Sequence, residues 1–201
     1  MRLKRKETTM DMLQKGIELE QTINSFKIPR YSELPDLDFY MDQVVALTEK
    51  HLYLLSYEGG QKFITPSMIN NYVKLGIIPP PKKKRYNKEH ICYLFIICTL
   101  KSVLPIQSIA DLIKMQTRNK TIFELYDIFC EAFENMLKQA NLVYGELVSE
   151  NPDPEDALAK LSLFMAIHSG TTRLIATNAL AAAIPSLEDD EHKDKKDKKE
   201  D

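Results

Sequence analysis

Asn70, Asn71, Tyr72 and Lys74 fall within one short stretch, and an unbroken basic run, Lys82, Lys83, Lys84 and Arg85, begins eight residues later. An asparagine amide donates to and accepts from adenine at the same time, so it can read a base edge in the major groove. Lysine and arginine pair with phosphate oxygens and hold a protein on a duplex without reading its sequence. With Ser67 and Tyr86 at either side, the expected DNA-binding set is Ser67, Asn70, Asn71, Tyr72, Lys74, Lys82, Lys83, Lys84, Arg85 and Tyr86. Each part also has an ordinary reading: asparagines are mostly solvent-facing, and a lysine run is commonly a solvated loop. Their order and closeness favour the interface over the sum of its parts.

Charge segregation supports this. The formal net charge is -2, yet from Gln61 to Arg118 ten basic residues face two acidic ones, Glu89 and Asp111, giving about +8 there and about -10 elsewhere. The electrostatic footprint of a nucleic-acid binder belongs to a face or domain and is not read from the overall pI.

Other chemistry finds no support. The six glycines form no phosphate-binding loop, and there is no nucleophile elbow, histidine pair on a helix or cysteine–histidine pair. No enzymatic activity, cofactor or metal centre is expected. Cys92, Cys98 and Cys130 are odd in number and fit no disulfide framework, which points to packing thiols in a reducing cytoplasm. His168 stands alone and reads as a helix-end histidine. The charged N-terminus runs into a polar stretch and lacks the apolar run of a signal peptide. The apolar region Leu161 to Ile184 is interrupted from His168 to Arg173, short of the ~20 continuous residues of a membrane span. It reads as two buried helices, with no membrane partner.

The elements that must position the ten side chains follow from periodicity. Residues 1–27 read as a helical arm, broken by the prolines between Ile28 and Pro35. Leu37, Tyr40, Met41, Val44, Val45, Thr48, His51 and Leu52 predict a helix to about Leu55, capped by Asp36 or Asp38, with a turn at Gly59-Gly60. Thr65-Pro66 starts a helix to Leu75, and Gly76 stops it. Three prolines and four basic residues make Ile77 to Arg85 an exposed loop. Asn87 caps a helix to Lys101 whose inward stripe is Ile91, Leu94, Phe95 and Cys98. A shorter helix follows Pro105, with Ile106, Ile109, Leu112 and Ile113 inward. A long helix spans Ile122 to Val148, then a helix from Pro154 to Ser169-Gly170 and a last one from Thr172 to Ile184 form a C-terminal hairpin. The tail 186–201 is charged and expected to be disordered. The predicted class is all-α with minor β in the loop at 77–86, organised as 1–27, 28–118, 119–185 and 186–201.

The order helix, basic loop, apolar helix resembles a MerR-like winged helix-turn-helix. In that family an aromatic residue precedes a glycine–apolar–apolar helix end by four positions, as Tyr72 precedes Gly76-Ile77-Ile78. Lys84 and Tyr86 resemble the basic and aromatic positions closing the wing, and Leu104-Pro105-Ile106-Gln107-Ser108-Ile109 is similar to the start of the following helix. The position two before the tyrosine, arginine in MerR proteins, is Asn70 here, and the link Ser56 to Ile64 is longer than the MerR turn. From Ile28 to Ile113 the chain is similar to a family of bacterial proteins known as a domain of unknown function and suspected of binding DNA. The resemblance implies a transcriptional regulator that binds double-stranded DNA and dimerises through the helix at Ile122 to Val148. That helix could equally complete a monomeric core. The final helices leave room for a small-molecule effector, with no side chain that specifies one. The rival expectation is a protein-interaction adaptor that uses the winged scaffold without DNA, and RNA binding comes third because exposed aromatics do not cluster.

Overall fold

The computed structural model describes residues 2–56, 62–150 and 153–184. The expected turn at Gly59-Gly60 and the tail 186–201 lie outside these. Among the described residues the chain is all-α, with seven α-helices: α1 (Arg2–Ser25), α2 (Met41–His51), α3 (Pro66–Lys74), α4 (Lys88–Leu100), α5 (Ile106–Gln116), α6 (Ile122–Glu150) and α7 (Pro154–Ala183). Among the described residues extended pairing is confined to two isolated antiparallel bridges, Phe39 with Tyr86 and Lys82 with Arg85. None of these helices is long and apolar enough to cross a membrane. The chain divides into two compact units, Pro29–Phe129 with Arg173–Asp201, and Met1–Ile28 with Cys130–Thr172.

In the unit built on Pro29–Phe129, α4 is the central element. Its residues His90, Ile91, Cys92, Leu94, Phe95, Ile96, Ile97 and Cys98 are all buried, so the predicted single stripe is in fact a helix covered nearly all round. The run Ile-Cys-Tyr-Leu-Phe-Ile-Ile-Cys has almost no polar side chain to offer water, and a helix apolar on every side belongs inside. Helices α2 and α5 pack on it, and α3 packs on α2. Burial in this apolar surround pushes the Cys98 thiol up to about 12, so it is a packing group and not a thiolate.

Helix α2 begins later than its sequence pattern suggests. Neither Asp36 nor Asp38 caps it; Tyr40 is the boundary residue, its N–H donating to Gln43 Oε1 at 2.9 Å. The reason lies far along the chain. Phe39 N–H donates to Tyr86 O at 2.8 Å and Tyr86 N–H donates to Phe39 O at 2.9 Å, so the backbone at Phe39 is committed to an extended pair and cannot be helical. The segment before it is fastened to the start of α6 by Tyr126 Oη donating to Pro29 O at 2.6 Å and by Tyr31 N–H donating to Asp127 Oδ1 at 2.8 Å.

In the other unit, α1 lies against α6. Asn141 Nδ2 donates to Asn24 Oδ1 at 2.8 Å, and the Phe26 and Phe133 rings meet at 5.8 Å. Gly16 allows this approach: a Cβ there would stand 2.3 Å from Tyr144 Oη. Tyr144, Leu147 and Leu161 form the core between α6 and α7, with Val143, Leu158 and Met165 around it.

The predicted break at Ser169-Gly170 does not occur. Helix α7 runs unbroken from Pro154 to Ala183, so there is no hairpin of two short C-terminal helices. A mid-helix glycine costs only about 1 kcal/mol against alanine. The neighbouring hydroxyls bond back into the helix, Thr171 Oγ1 to Ile167 O at 3.1 Å and Thr172 Oγ1 to His168 O at 2.7 Å, instead of offering the backbone a turn.

Candidate nucleic-acid interface

Helix α3 starts as its sequence demands. Thr65 is extended, its Oγ1 accepts from Met68 N–H at 3.2 Å, and Pro66 occupies the first helical position, where no N–H is needed. Ile69 and Tyr72 are buried, so the helix has an inward edge, and Met68 and Val73 are half-buried beside it. The outward edge is Ser67, Asn70, Asn71 and Lys74, all exposed, at the i, i+3, i+4, i+7 spacing that sets side chains on one face.

The far end of α3 is closed by a Schellman motif. Ile77 N–H donates to Tyr72 O at 3.0 Å and Gly76 N–H to Val73 O at 3.0 Å, with Gly76 at φ +71°. Ile77 and Ile78 then bury their side chains, which is the physical content of the glycine–apolar–apolar pattern. The chain turns out over Pro79, Pro80 and Pro81 into a two-residue hairpin turn. Arg85 N–H donates to Lys82 O at 2.9 Å, and the two central residues, Lys83 and Lys84, have φ of 51° and 60°. Positive φ at both centres is the type I′ arrangement, which asparagine and glycine accept far more readily than lysine. Lys82, Lys83 and Lys84 are all exposed at this tip.

Three of the ten expected contacts sit elsewhere. Tyr72 is 6 % and Tyr86 3 % exposed, so both rings are core side chains and neither reaches a phosphate. Burial raises both hydroxyls above the ordinary tyrosine range, Tyr72 to about 12. Arg85 is half-buried with its guanidinium 3.7 Å over the Tyr40 ring; Nη2 donates to Tyr40 Oη at 2.6 Å and Nη1 to Asp38 O at 3.3 Å. Its role is to fix the base of the turn against the segment before α2. Side-chain type does not fix direction: a basic or aromatic residue beside an interface can equally point into the fold. Tyr40, the partner of Arg85, carried no local signal because the two are 45 residues apart.

The base of the turn rests on α4. Asn87 caps that helix, its Oδ1 accepting from His90 N–H at 3.4 Å, while Asn87 N–H donates to His90 Nδ1 at 3.1 Å. The His90 imidazole is buried with its edge to Tyr86 at 5.3 Å. Burial lowers its proton affinity, and Glu89 with the Pro79 and Pro80 carbonyls opposes this in part.

Of the ten basic residues between Gln61 and Arg118, Lys88 and Lys101 are also engaged inwardly, Lys88 over the Tyr31 ring at 4.3 Å and Lys101 bonded to Phe63 O. Lys62, Lys74, Lys82, Lys83, Lys84, Lys114 and Arg118 are exposed. The surviving surface is therefore Ser67, Asn70, Asn71 and Lys74 on α3, and Lys82 to Lys84 on the turn.

No curated protein and no solved structure matches the chain. Residues 29–129 match a family described as a domain of unknown function, DUF1836, and this stretch coincides with the Pro29–Phe129 segment of one compact unit. The chain belongs to the DUF1836 family.

Proposed function

We propose that this chain is a DNA-binding transcriptional regulator with a MerR-like winged helix-turn-helix, acting in the cytoplasm. Helix α3 is its recognition helix and the Lys82–Arg85 turn its wing. Asn70 and Asn71 read base edges in the major groove, Ser67 and Lys74 flank them, and Lys82, Lys83 and Lys84 hold phosphates. One observation carries this reading: Ser67, Asn70, Asn71 and Lys74 line the outward edge of α3, and beyond exposed Leu75 and Gly76 the chain leads into a lysine-tipped turn. A solvated face with no ligand has no need to set two lysines in left-handed backbone at a hairpin tip.

The test is a gel shift of the full chain with a duplex from upstream of its own coding sequence, at two salt concentrations. Binding at low salt that weakens steeply at high salt is expected, because phosphate contacts release counterions. Absence of binding at low salt, with retention of an acidic protein instead, would replace this reading by the adaptor.

A further inference from the structure

Leu75, the boundary residue at the C-terminal end of α3, is 49 % exposed, whereas Ile77 and Ile78 just beyond it are 7 % and 0 %. The fold takes two of the three apolar side chains at this end of the helix and leaves the third outside. Leu75 still follows the helical path: φ is -78°, ψ is -1°, and its N–H donates to Asn71 O at 2.9 Å. A spacing of four sets it beside Asn71 on the outward edge. Four residues advance about 6 Å along a helix axis, less than two base-pair steps of ~3.4 Å. With α3 along the major groove, Asn71 and Leu75 therefore address the same base pair or adjacent ones. What the helix lacks is equally telling. Its sequence holds no arginine, the usual reader of guanine, and no carboxylate to accept from cytosine N4. Lys74, its one cation, can take guanine, but as a point charge on a flexible stem it suits phosphate equally.

We infer that Leu75 is a specificity-determining residue: it packs on the C5-methyl of thymine beside the adenine taken by Asn71, so the site that α3 reads is rich in A·T pairs. The inference rests on the DNA-binding proposal and adds to it the base composition of the site. In the major groove an A·T pair presents adenine N7 and N6 on one base and the thymine methyl on the other. An amide and a branched apolar side chain next to each other match those two halves. Water leaves both surfaces when the leucine covers the methyl, which is the favourable term. Over a G·C pair the same leucine covers hydrogen-bonding edges and pairs with none of them, which costs free energy. Leu75 thus favours thymine and also disfavours its competitors.

Selection of duplexes from a random-sequence pool by the full chain, at low salt, tests it. The recovered sites are expected to share an A·T-rich core. A recovered site is then remade with deoxyuridine for thymidine, which removes the C5-methyl and keeps every hydrogen-bonding group. The wild type is expected to bind the deoxyuridine site about fourfold more weakly for each methyl contacted, the worth of one buried methyl group. Leu75→Ala is expected to bind the thymidine site more weakly than the wild type and to lose nothing further on the deoxyuridine site. That loss of discrimination separates a base contact from a role in the fold, because a structural leucine leaves the variant as sensitive to the methyl as the wild type. Equal wild-type affinity for the two sites, full methyl sensitivity in Leu75→Ala, or a G·C-rich core would overturn this inference and leave DNA binding standing. Recovery of no duplex at all would overturn the DNA-binding reading and the inference with it.

Discussion

Asn71 and Asn70 share the outward edge of α3 with Ser67 and Lys74, away from the buried Ile69 and Tyr72. Both are exposed there. Replacing Asn71 by alanine should leave the melting temperature within a degree or two and relax sequence preference at one base position, at a cost of ~1–3 kcal/mol in specific binding. A panel of single-base duplex variants reads this directly; equal losses on every duplex would assign Asn71 to the backbone instead. Gly76 is the opposite case, a residue that serves only the fold. A Cβ there meets nothing within 4 Å, so Gly76→Ala carries only the penalty of φ +71°, and denaturant unfolding should register a loss of ~1–2 kcal/mol. Thr65, Pro66 and Gly76 were legible in the sequence because capping chemistry is local. Arg85, Tyr72 and Tyr86 were not, because which way a side chain points is decided by contacts with residues such as Tyr40 that are distant in sequence.

At the scale of elements the lysine-tipped turn is the informative piece. Lys83 and Lys84 occupy left-handed conformations that favour asparagine and glycine, so this tip is less stable than the same turn with an ordinary sequence. Lys83→Asn with Lys84→Gly should therefore raise stability, by about 1 kcal/mol in thermal or urea unfolding. No change or a loss would show that the lysines are not strained at the tip. Helix boundaries divide along the same line as residues. The start of α3 at Thr65 follows from its own sequence, whereas the start of α2 is set by the Phe39–Tyr86 pairing across the unit. The unbroken course of α7 through Gly170 was missed because a small polar cluster looks like a stop whether its hydroxyls turn outward or bond back to the helix. The start of α6 has a local signal in Thr121-x-x-Glu124, a capping box in which Thr121 N–H donates to Glu124 Oε2 at 2.7 Å and Glu124 N–H to Thr121 Oγ1 at 3.2 Å.

For the whole molecule, charge is arranged by segment and titration follows burial. His51 and His90 are both pushed below the ordinary histidine value of 6.5, chiefly by burial. An imidazole held neutral in the fold is protonated first in the unfolded chain, so its contribution to stability is complete above that value and is lost as pH falls below it. The urea midpoint should be lower at about pH 5.5 than at about pH 7.5, and an equal midpoint at both would contradict the buried, neutral state of these rings. The concentration of about +8 between Gln61 and Arg118 in a chain of net charge -2 would suit an otherwise acidic protein to the DNA partner we propose for it. The same chemistry provides the sharpest test. Affinity for a duplex, measured against salt for the wild type and for Lys83→Asn with Lys84→Gly, separates charge from fold because the variant keeps the turn and loses only its two tip cations. Weaker binding to every sequence is expected, with a salt slope lower by up to ~2 units, at ~0.9 per phosphate released. Unchanged affinity and slope in the stable variant would contradict it.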